Sequence, residues 1–279
     1  MKLVARLTVL FVCASLASAC TTTSVLDTKP FEPPTQRYAA IVIDASKGEV
    51  LHETRADAIR FPASLTKMMT LYMIFERLGT GQLKKNTLIT MSQRAAAQPA
   101  SKLWLKAGDQ ITVDKAIQAL VVKSANDVAY AVAEHIGGSE AGFARMMTTK
   151  ARSLGLRSTV FKNASGLPNS RQVTTARDMA KLGIKLKRRF PQHFHYFGRS
   201  SFTFKGKRIR GHNKVLTRLK GANGIKTGYT RKSGYNLVTS VTRNGKTVVG
   251  VILGENSGRL RDQHMVELMQ AYMPKAGIR

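Results

Sequence analysis

The spacing of apolar residues along the chain changes twice, and each change marks a different kind of predicted structure. The continuous apolar run Tyr38–Asp44 predicts a buried strand, and the turn residues Lys47-Gly48 lead into a second strand over 49–53. A helical period follows. It predicts helices over 64–78, over 111–138 with a break near Ser124, over 140–154 and over 174–189.

The last third of the chain returns to strand-like patterns. YNLVTSVT and KTVVGVIL flank Asn244-Gly245, a pair typical of two-residue hairpin turns, and SFTF and KRIR flank Gly206. A final helix is predicted over 260–273. Because the predicted strands come from both ends of the chain, the first and last strands must share one antiparallel sheet. We therefore expect an α+β fold with helices packed on that sheet, in one body over residues 37–279.

The N-terminus has the pattern of an export signal. Lys2 and Arg6 precede a short apolar stretch, and the small residues Ala17-Ser18-Ala19 form a cleavage pattern before Cys20. A signal peptide over 1–19 is predicted, with Cys20 as a candidate for lipidation after cleavage. Plain cleavage after Ala19 is the alternative. Residues 20–36 are rich in Thr and Pro, which predicts a flexible tether.

Charge is distributed unevenly over the chain, whose net charge is +29. Residues 1–140 carry 16 basic and 12 acidic side chains, whereas residues 141–279 carry 29 and 4. Such an excess predicts an anionic partner, and for an exported protein we expect an envelope surface rather than nucleic acid. Basic and aromatic residues alternate only over 188–210, which either lies on that surface or forms an exposed hairpin after a helix.

Cysteine and histidine usage limits the possible chemistry. The two cysteines, Cys13 and Cys20, are both N-terminal, which excludes a disulfide framework, a cysteine-ligated metal and a cysteine nucleophile in the folded body. The six histidines lack the H-E-x-x-H spacing of zinc enzymes. His193 and His195 could share one face of a strand, where a solvated or packed pair is expected rather than a metal site. No metal or cofactor is predicted.

Ser64 and Lys67 lie three residues apart in a predicted helix and therefore share one face. A serine hydroxyl is a weak nucleophile that needs a nearby base. A lysine amine can serve if burial and neighbouring positive charge lower its pKa. Taken alone, this spacing occurs often by chance, and a helix-capping serine beside a solvated lysine is the simpler interpretation.

Two further short motifs follow along the chain. In Ser124-Ala125-Asn126 the hydroxyl can relay a proton, and the amide can bind a substrate carbonyl or orient a lysine. In Lys226-Thr227-Gly228, on a predicted edge strand, an amine and a hydroxyl suit a substrate carboxylate, and the glycine permits close approach of substrate backbone.

The order and spacing of the three motifs are far more specific than any one of them. Ser124 follows Ser64 by 60 residues, and Lys226 follows Ser124 by 102. The set S-x-x-K, S-x-N, K-T-G resembles that of the low-molecular-mass penicillin-binding proteins, the serine D-alanyl-D-alanine carboxypeptidases. Further similar stretches are PASLTKMMT, SANDVAYAVAEHIGG, NASGLP, TTARDMAKL, GHNKVL and NGIKTGYTRKSGYNLVTS.

The resemblance, from Tyr38 to Met273, implies a β-lactamase/transpeptidase-like fold in which a largely helical subdomain accompanies the sheet. It implies that Ser64 attacks the substrate carbonyl, that Lys67 is the general base, and that Ser124 relays the proton to the leaving amine. Asn126 would hold the substrate backbone. Many relatives carry a C-terminal β-rich domain and a terminal amphipathic helix, and neither is expected here.

The resemblance also implies the substrate-binding residues. Lys226 would tune the field around the base, Thr227 would bind the terminal carboxylate, and Gly228 would border the bound substrate. The backbone N–H groups of Ser64 and Tyr229 would form the oxyanion hole. Arg261, at the start of the last helix, matches a family arginine near the carboxylate site, although Arg259 is only two residues away. His212 is expected to support the site structurally.

Peptidoglycan stem peptides are the implied substrates, and β-lactams are the implied covalent inhibitors. Three alternatives stay open. A DD-endopeptidase that cleaves cross-links uses the same motifs. A serine β-lactamase needs a base for rapid deacylation, and residues 141–177 contain no Asp or Glu to provide it. A non-catalytic envelope-binding protein would use its basic half.

Overall fold

The framework of the protein is a set of nine strands, seen in a computed structural model that describes residues 35–278. The strands are β1 (Ala39–Asp44), β2 (Val50–Thr54), β3 (Leu88–Thr90), β4 (Gln110–Thr112), β5 (Ser201–Phe204), β6 (Lys207–Arg210), β7 (Ala222–Thr230), β8 (Gly234–Arg243) and β9 (Lys246–Glu255). Five of them form one antiparallel sheet in the order β2-β1-β9-β8-β7, and the other four form two two-stranded sheets, β3-β4 and β5-β6, of which the second is a hairpin.

Eight α-helices surround the sheet in the described part of the chain. They are α1 (Lys67–Gly79), α2 (Gln93–Ala96), α3 (Val113–Gln118), α4 (Asn126–Gly137), α5 (Glu140–Ser153), α6 (Ala176–Arg189), α7 (Val215–Arg218) and α8 (Gly258–Tyr272). A 3-10 turn, Ala63–Thr66, immediately precedes α1. A π-helical turn, Ala119–Lys123, follows α3 and leads to α4. Further 3-10 segments are Pro191–Gly198 and Met273–Ala276.

The pairing of the first and last strands of the sheet is confirmed, with Ile41 of β1 opposite Val251 of β9. The predicted hairpin between β8 and β9 is confirmed as well, and both Asn244 and Gly245 have positive φ angles, as its two-residue turn requires. The motif Lys226-Thr227-Gly228 lies in β7, which is an edge strand of the sheet.

Both faces of the sheet are buried, which explains the continuous apolar run in β1. Ile41 and Ile43 point into a large core that includes α1, α4 and α6, whereas Ala40 and Val42 contribute to a smaller core with α8. Residues 35–278 lie within one compact unit.

Two expectations about the middle of the chain are wrong. His193 and His195 lie in the 3-10 segment Pro191–Gly198 rather than in a strand, and His193 stacks on Phe75 with 5.0 Å between ring centroids. Phe194, Tyr196 and Phe197 of the same segment are buried. Their rings complete the core beside α1 and α6, so the expected mixing of basic and aromatic side chains on the surface is not found, although the β5-β6 hairpin that follows is confirmed.

Several predictions concern residues outside the described part of the chain. These are the signal peptide over 1–19, residues 20–34 of the tether, and Cys20. In the described part, no helix combines the length and the apolar character needed to cross a membrane.

Candidate active site

A cleft of about 730 Å³ opens where the edge strand β7, the 3-10 turn before α1 and the segment before α4 meet. Its lining brings together seven of the predicted catalytic and substrate-binding residues, and it also includes His212, which was expected to support them. The seven are Ser64, Ser124, Asn126, Thr227, Gly228, Tyr229 and Arg261, while Lys67 and Lys226 are buried beneath the lining.

Lys67 lies below Ser64, with 3.3 Å between its Nζ and the serine Oγ. The amine donates to Asn126 Oδ1 at 2.7 Å and to the Ser165 carbonyl at 2.5 Å. A neutral amine has two protons and one lone pair. Because two acceptors take both protons, the lone pair is left to face Ser64 Oγ. Lys67 is thereby oriented to accept the proton of the hydroxyl.

The surroundings of Lys67 favour the neutral amine. The side chain has no exposed surface. Burial lowers the pKa of Lys67 well below the usual lysine value, the positive charge of Lys226 lowers it further, and Asp127 opposes that shift. The lowered pKa favours the neutral form of the amine, which is the form that general-base catalysis requires.

Lys226 is the second buried amine and donates to the Thr227 carbonyl at 2.9 Å. Burial, and then the nearby Arg261, lower the pKa of Lys226 to about 7. Near neutral pH its charge is therefore sensitive to proton concentration and to any anion bound in the cleft. Thr227, at 7% exposure, presents its side chain to the cleft next to this amine.

Ser124 occupies the break between the π turn and α4 in a left-handed conformation, with φ of 59°. Its Oγ is buried and has no hydrogen-bond partner among residues 35–278. Asn126 begins α4, and its Nδ2 donates to the Pro99 carbonyl at 3.0 Å while its Oδ1 accepts from Lys67. A buried hydroxyl without a partner carries a desolvation cost, which a substrate amine in the cleft would remove.

Asn236 and Gly166, which the motifs did not single out, join Gly228 in holding the Ser64 turn against the sheet. Asn236 of β8 donates through Nδ2 to the carbonyls of Phe61 and Pro62 at 3.0 and 3.1 Å, and its Oδ1 accepts from Gly254 N–H. A Cβ on Gly228 would lie 3.1 Å from Ser64 N, and one on Gly166 would lie 2.9 Å from it. All three residues lie in sequence stretches that resemble the family, but their support of the Ser64 turn is visible only in the three-dimensional packing.

Tyr229 and Arg261 border the cleft in different ways. Tyr229 is 53% exposed, and its ring stacks on Tyr235 at 4.2 Å between centroids. Arg261 is buried, and its Nε and Nη2 both donate to Asp262 Oδ1, at 2.9 and 2.6 Å. Arg261 rather than Arg259 is thus the buried arginine, while both reach the cleft.

Among the described residues, Asp262 is the one acidic side chain in the cleft lining, and it forms an ion pair with Arg261. A β-lactamase needs a base that activates water for deacylation, and the segment 141–177 places no carboxylate in the cleft. Within residues 35–278, no three His, Cys, Asp or Glu side chains are grouped so that they could hold a metal ion.

Acylation by a carboxylate-bearing penicillin is expected to rise and then fall as the pH increases. The rate constant rises with pH as Lys67 loses its proton, and it falls above about pH 7 as Lys226 loses the charge that attracts the carboxylate. The measurement is the second-order acylation rate from pH 5 to 10. Lys226→Arg, which stays charged over this range, should weaken the alkaline fall. A rate that climbs without interruption to pH 10 would contradict this role for Lys226.

Comparisons with known proteins agree with this arrangement. A family model described as D-alanyl-D-alanine carboxypeptidase, Peptidase_S11, matches residues 27–257. The chain is 35% identical over 247 residues to the D-alanyl-D-alanine carboxypeptidase DacA of Escherichia coli, covering 86% of this chain and 61% of that protein. It therefore spans about three fifths of the length of this curated relative.

Solved structures show the same fold at similar identity. The D-alanyl-D-alanine carboxypeptidase DacD of Francisella tularensis superposes with a TM-score of 0.81 at 28% identity, covering 90% of this chain and 74% of that one. Penicillin-binding protein D2 of Listeria monocytogenes, solved in an ampicillin-bound form, gives a TM-score of 0.78 at 28% identity, with coverage of 84% and 96%. The expected β-lactamase/transpeptidase-like fold is thus confirmed.

Proposed function

The chain belongs to the D-alanyl-D-alanine carboxypeptidase family, Peptidase_S11, and from this premise we propose that it is a serine DD-carboxypeptidase. It removes the terminal D-Ala from peptidoglycan pentapeptides through an acyl-enzyme. The observation that carries the proposal is the position of the buried Lys67. Its Nζ lies 3.3 Å from Ser64 Oγ and donates hydrogen bonds to Asn126 Oδ1 and to the Ser165 carbonyl.

In the proposed first step, Ser64 Oγ attacks the carbonyl carbon of the penultimate D-Ala, and its proton passes to Lys67. The backbone N–H groups of Ser64 and Tyr229 stabilise the oxyanion, and each such donor typically contributes about 3 kcal/mol. The C–N bond then breaks, and Ser124 relays a proton to the leaving amine of the terminal D-Ala. Asn126 orients both Lys67 and the substrate backbone.

In the second step, water attacks the ester carbonyl and Lys67 accepts its proton. The ester C–O bond then breaks, and Lys67 returns the proton to Ser64 Oγ, which frees the enzyme and the shortened peptide. Thr227, which lines the cleft, binds the terminal carboxylate during acylation, and the charges of the buried Lys226 beneath it and of Arg261 attract that carboxylate. β-Lactams follow the first step and become covalent inhibitors. The described residues of the cleft add no free carboxylate to Lys67 as a base for water, so a penicilloyl-enzyme is expected to hydrolyse more slowly than in a β-lactamase.

The products that purified mature protein forms from mixed muropeptides test the proposal, read by mass spectrometry. Loss of one alanine from pentapeptides, with cross-linked dimers intact, is the expected result. Conversion of dimers to monomers without trimming would identify a DD-endopeptidase instead. Binding of anionic lipid with no peptide cleavage and no labelling by penicillin would favour a non-catalytic envelope protein, against which the intact site argues.

We further propose that the protein acts in the periplasm or envelope, exported by the signal over residues 1–19 and anchored by lipid at Cys20. The uneven charge supports an anionic envelope surface as a neighbour of the basic half, residues 141–279.

A further inference from the structure

Three exposed cationic side chains line one side of the active-site cleft. Lys214 and Arg218 flank and end α7, and Arg259 lies in the first turn of α8. We call these three residues the cation wall. In residues 35–278, no acidic side chain forms an ion pair with any of them.

The described lining of the cleft contains no other charge that would neutralise the cation wall. Its one acidic side chain, Asp262, is buried and takes two hydrogen bonds from the buried Arg261. The cation wall therefore keeps its full charge where it faces the bound substrate. Like charges grouped around a cleft repel one another and concentrate anionic ligands within it.

The positive charge in the cleft lining comes from a limited part of the chain. The lining residues contributed by earlier segments, Ala100, Ser101, Ser124, Asn126, Gly166 and Leu167, are uncharged. On the cationic side, α7 packs against both α8 and β7, the strand that carries Thr227. The cation wall therefore lies on the side where, under the proposed function, the carboxylate of the leaving group binds.

The charge on this side exceeds what a terminal D-Ala requires. That leaving group has a single carboxylate, which Thr227, Lys226 and Arg261 already serve in the proposed function. The three cations of the wall, which form no ion pair within residues 35–278, remain for anions that D-Ala does not carry. A site with surplus charge discriminates in favour of ligands that carry the matching groups.

We propose that the cation wall is a subsite for leaving groups that carry a second carboxylate, such as an acidic D-amino acid. The inference rests on the proposed function and deepens it. The chemistry is unchanged: the Ser64 Oγ–carbonyl bond forms, the C–N bond breaks, and the leaving amine gains the serine proton. Water then cleaves the ester.

Three N-acylated peptides that differ only in the leaving group test this subsite. They end in D-Ala-D-Ala, D-Ala-D-Gln and D-Ala-D-Glu, and the last two are nearly identical in shape but differ by one charge. At low ionic strength, kcat/KM for the D-Glu peptide is expected to exceed that for the D-Gln peptide about three- to tenfold. The ratio should fall toward one in about 0.5 M salt, as expected for exposed charges.

Variants assign the effect to the cation wall. Arg218→Ala, Lys214→Ala and Arg259→Ala should each lower the D-Glu to D-Gln ratio, and the triple variant should bring it near one, while cleavage of the D-Ala peptide changes little. Lys220→Ala is the matched control, because Lys220 is an exposed lysine of the same segment outside the cleft lining. It should leave the ratio unchanged.

The outcomes separate this inference from the proposed function. Cleavage of the D-Ala peptide with equal rates for D-Glu and D-Gln overturns the subsite and leaves the carboxypeptidase in place. A ratio that survives the triple variant also overturns it. Failure to cleave any of the three peptides counts against the proposed function itself.

Discussion

Replacing Ser64 with alanine is expected to abolish covalent labelling by a fluorescent penicillin. Ser64 Oγ is the hydroxyl that faces the amine of Lys67, at 3.3 Å, and the alanine side chain has no oxygen with which to form the ester. Loss of a nucleophile in comparable acyl-transfer sites lowers rates by at least about 10⁴-fold. The measurement is in-gel fluorescence after incubation with the labelled penicillin, together with the pentapeptide assay.

The matched control for this substitution is Ser101→Ala. Ser101 lines the same cleft, but its Oγ donates to the Lys123 carbonyl at 2.9 Å and is not directed at Lys67. This variant should label within a few-fold of the unaltered protein. A Ser64→Ala protein that still formed the covalent adduct would remove Ser64 from the mechanism, whatever its hydrolytic activity.

The sequence predicted best those features that depend on short spacings. The three-residue step from Ser64 to Lys67 places both side chains on one side of the turn into α1, whatever surrounds them. Asn244-Gly245 specifies its hairpin because both residues tolerate positive φ. The continuous apolar run in β1 indicated burial on both faces of the sheet, which the two cores confirm.

Features that depend on contacts between distant parts of the chain were not predictable in this way. Asn236 is one of several polar residues in β8, and its support of the Ser64 turn depends on carbonyls 174 and 175 residues away. The β3-β4 pair forms a small two-stranded sheet, and each strand has too few residues to show a clear alternation of apolar and polar positions. The aromatic residues after α6 were expected at the surface because the neighbouring charges hid their packing against Phe75.

Replacing Gly166 with alanine is expected to slow acylation of Ser64, although Gly166 contributes no reacting group. Gly166 has φ of +88°, and an added Cβ would lie 1.9 Å from the Ala63 carbonyl oxygen and 2.9 Å from Ser64 N. The obstructing atoms are backbone, so the Ser64 turn itself must move. Displacing a reacting group by about 1 Å costs on the order of 100-fold in rate, and we expect acylation by penicillin to fall by at least that factor.

Gly155→Ala separates this collision from backbone strain alone. Gly155 also has a positive φ, +77°, but its added Cβ would meet no atom within 4 Å. This control should lose about 1–2 kcal/mol of stability from the left-handed conformation and keep its acylation rate. Gly166→Ala should lose more stability in thermal unfolding and also lose acylation. An acylation rate of Gly166→Ala within twofold of that of the unaltered protein would mean that the turn adjusts without moving the Ser64 N–H. The packing of Gly166 would then not set the geometry of the oxyanion hole.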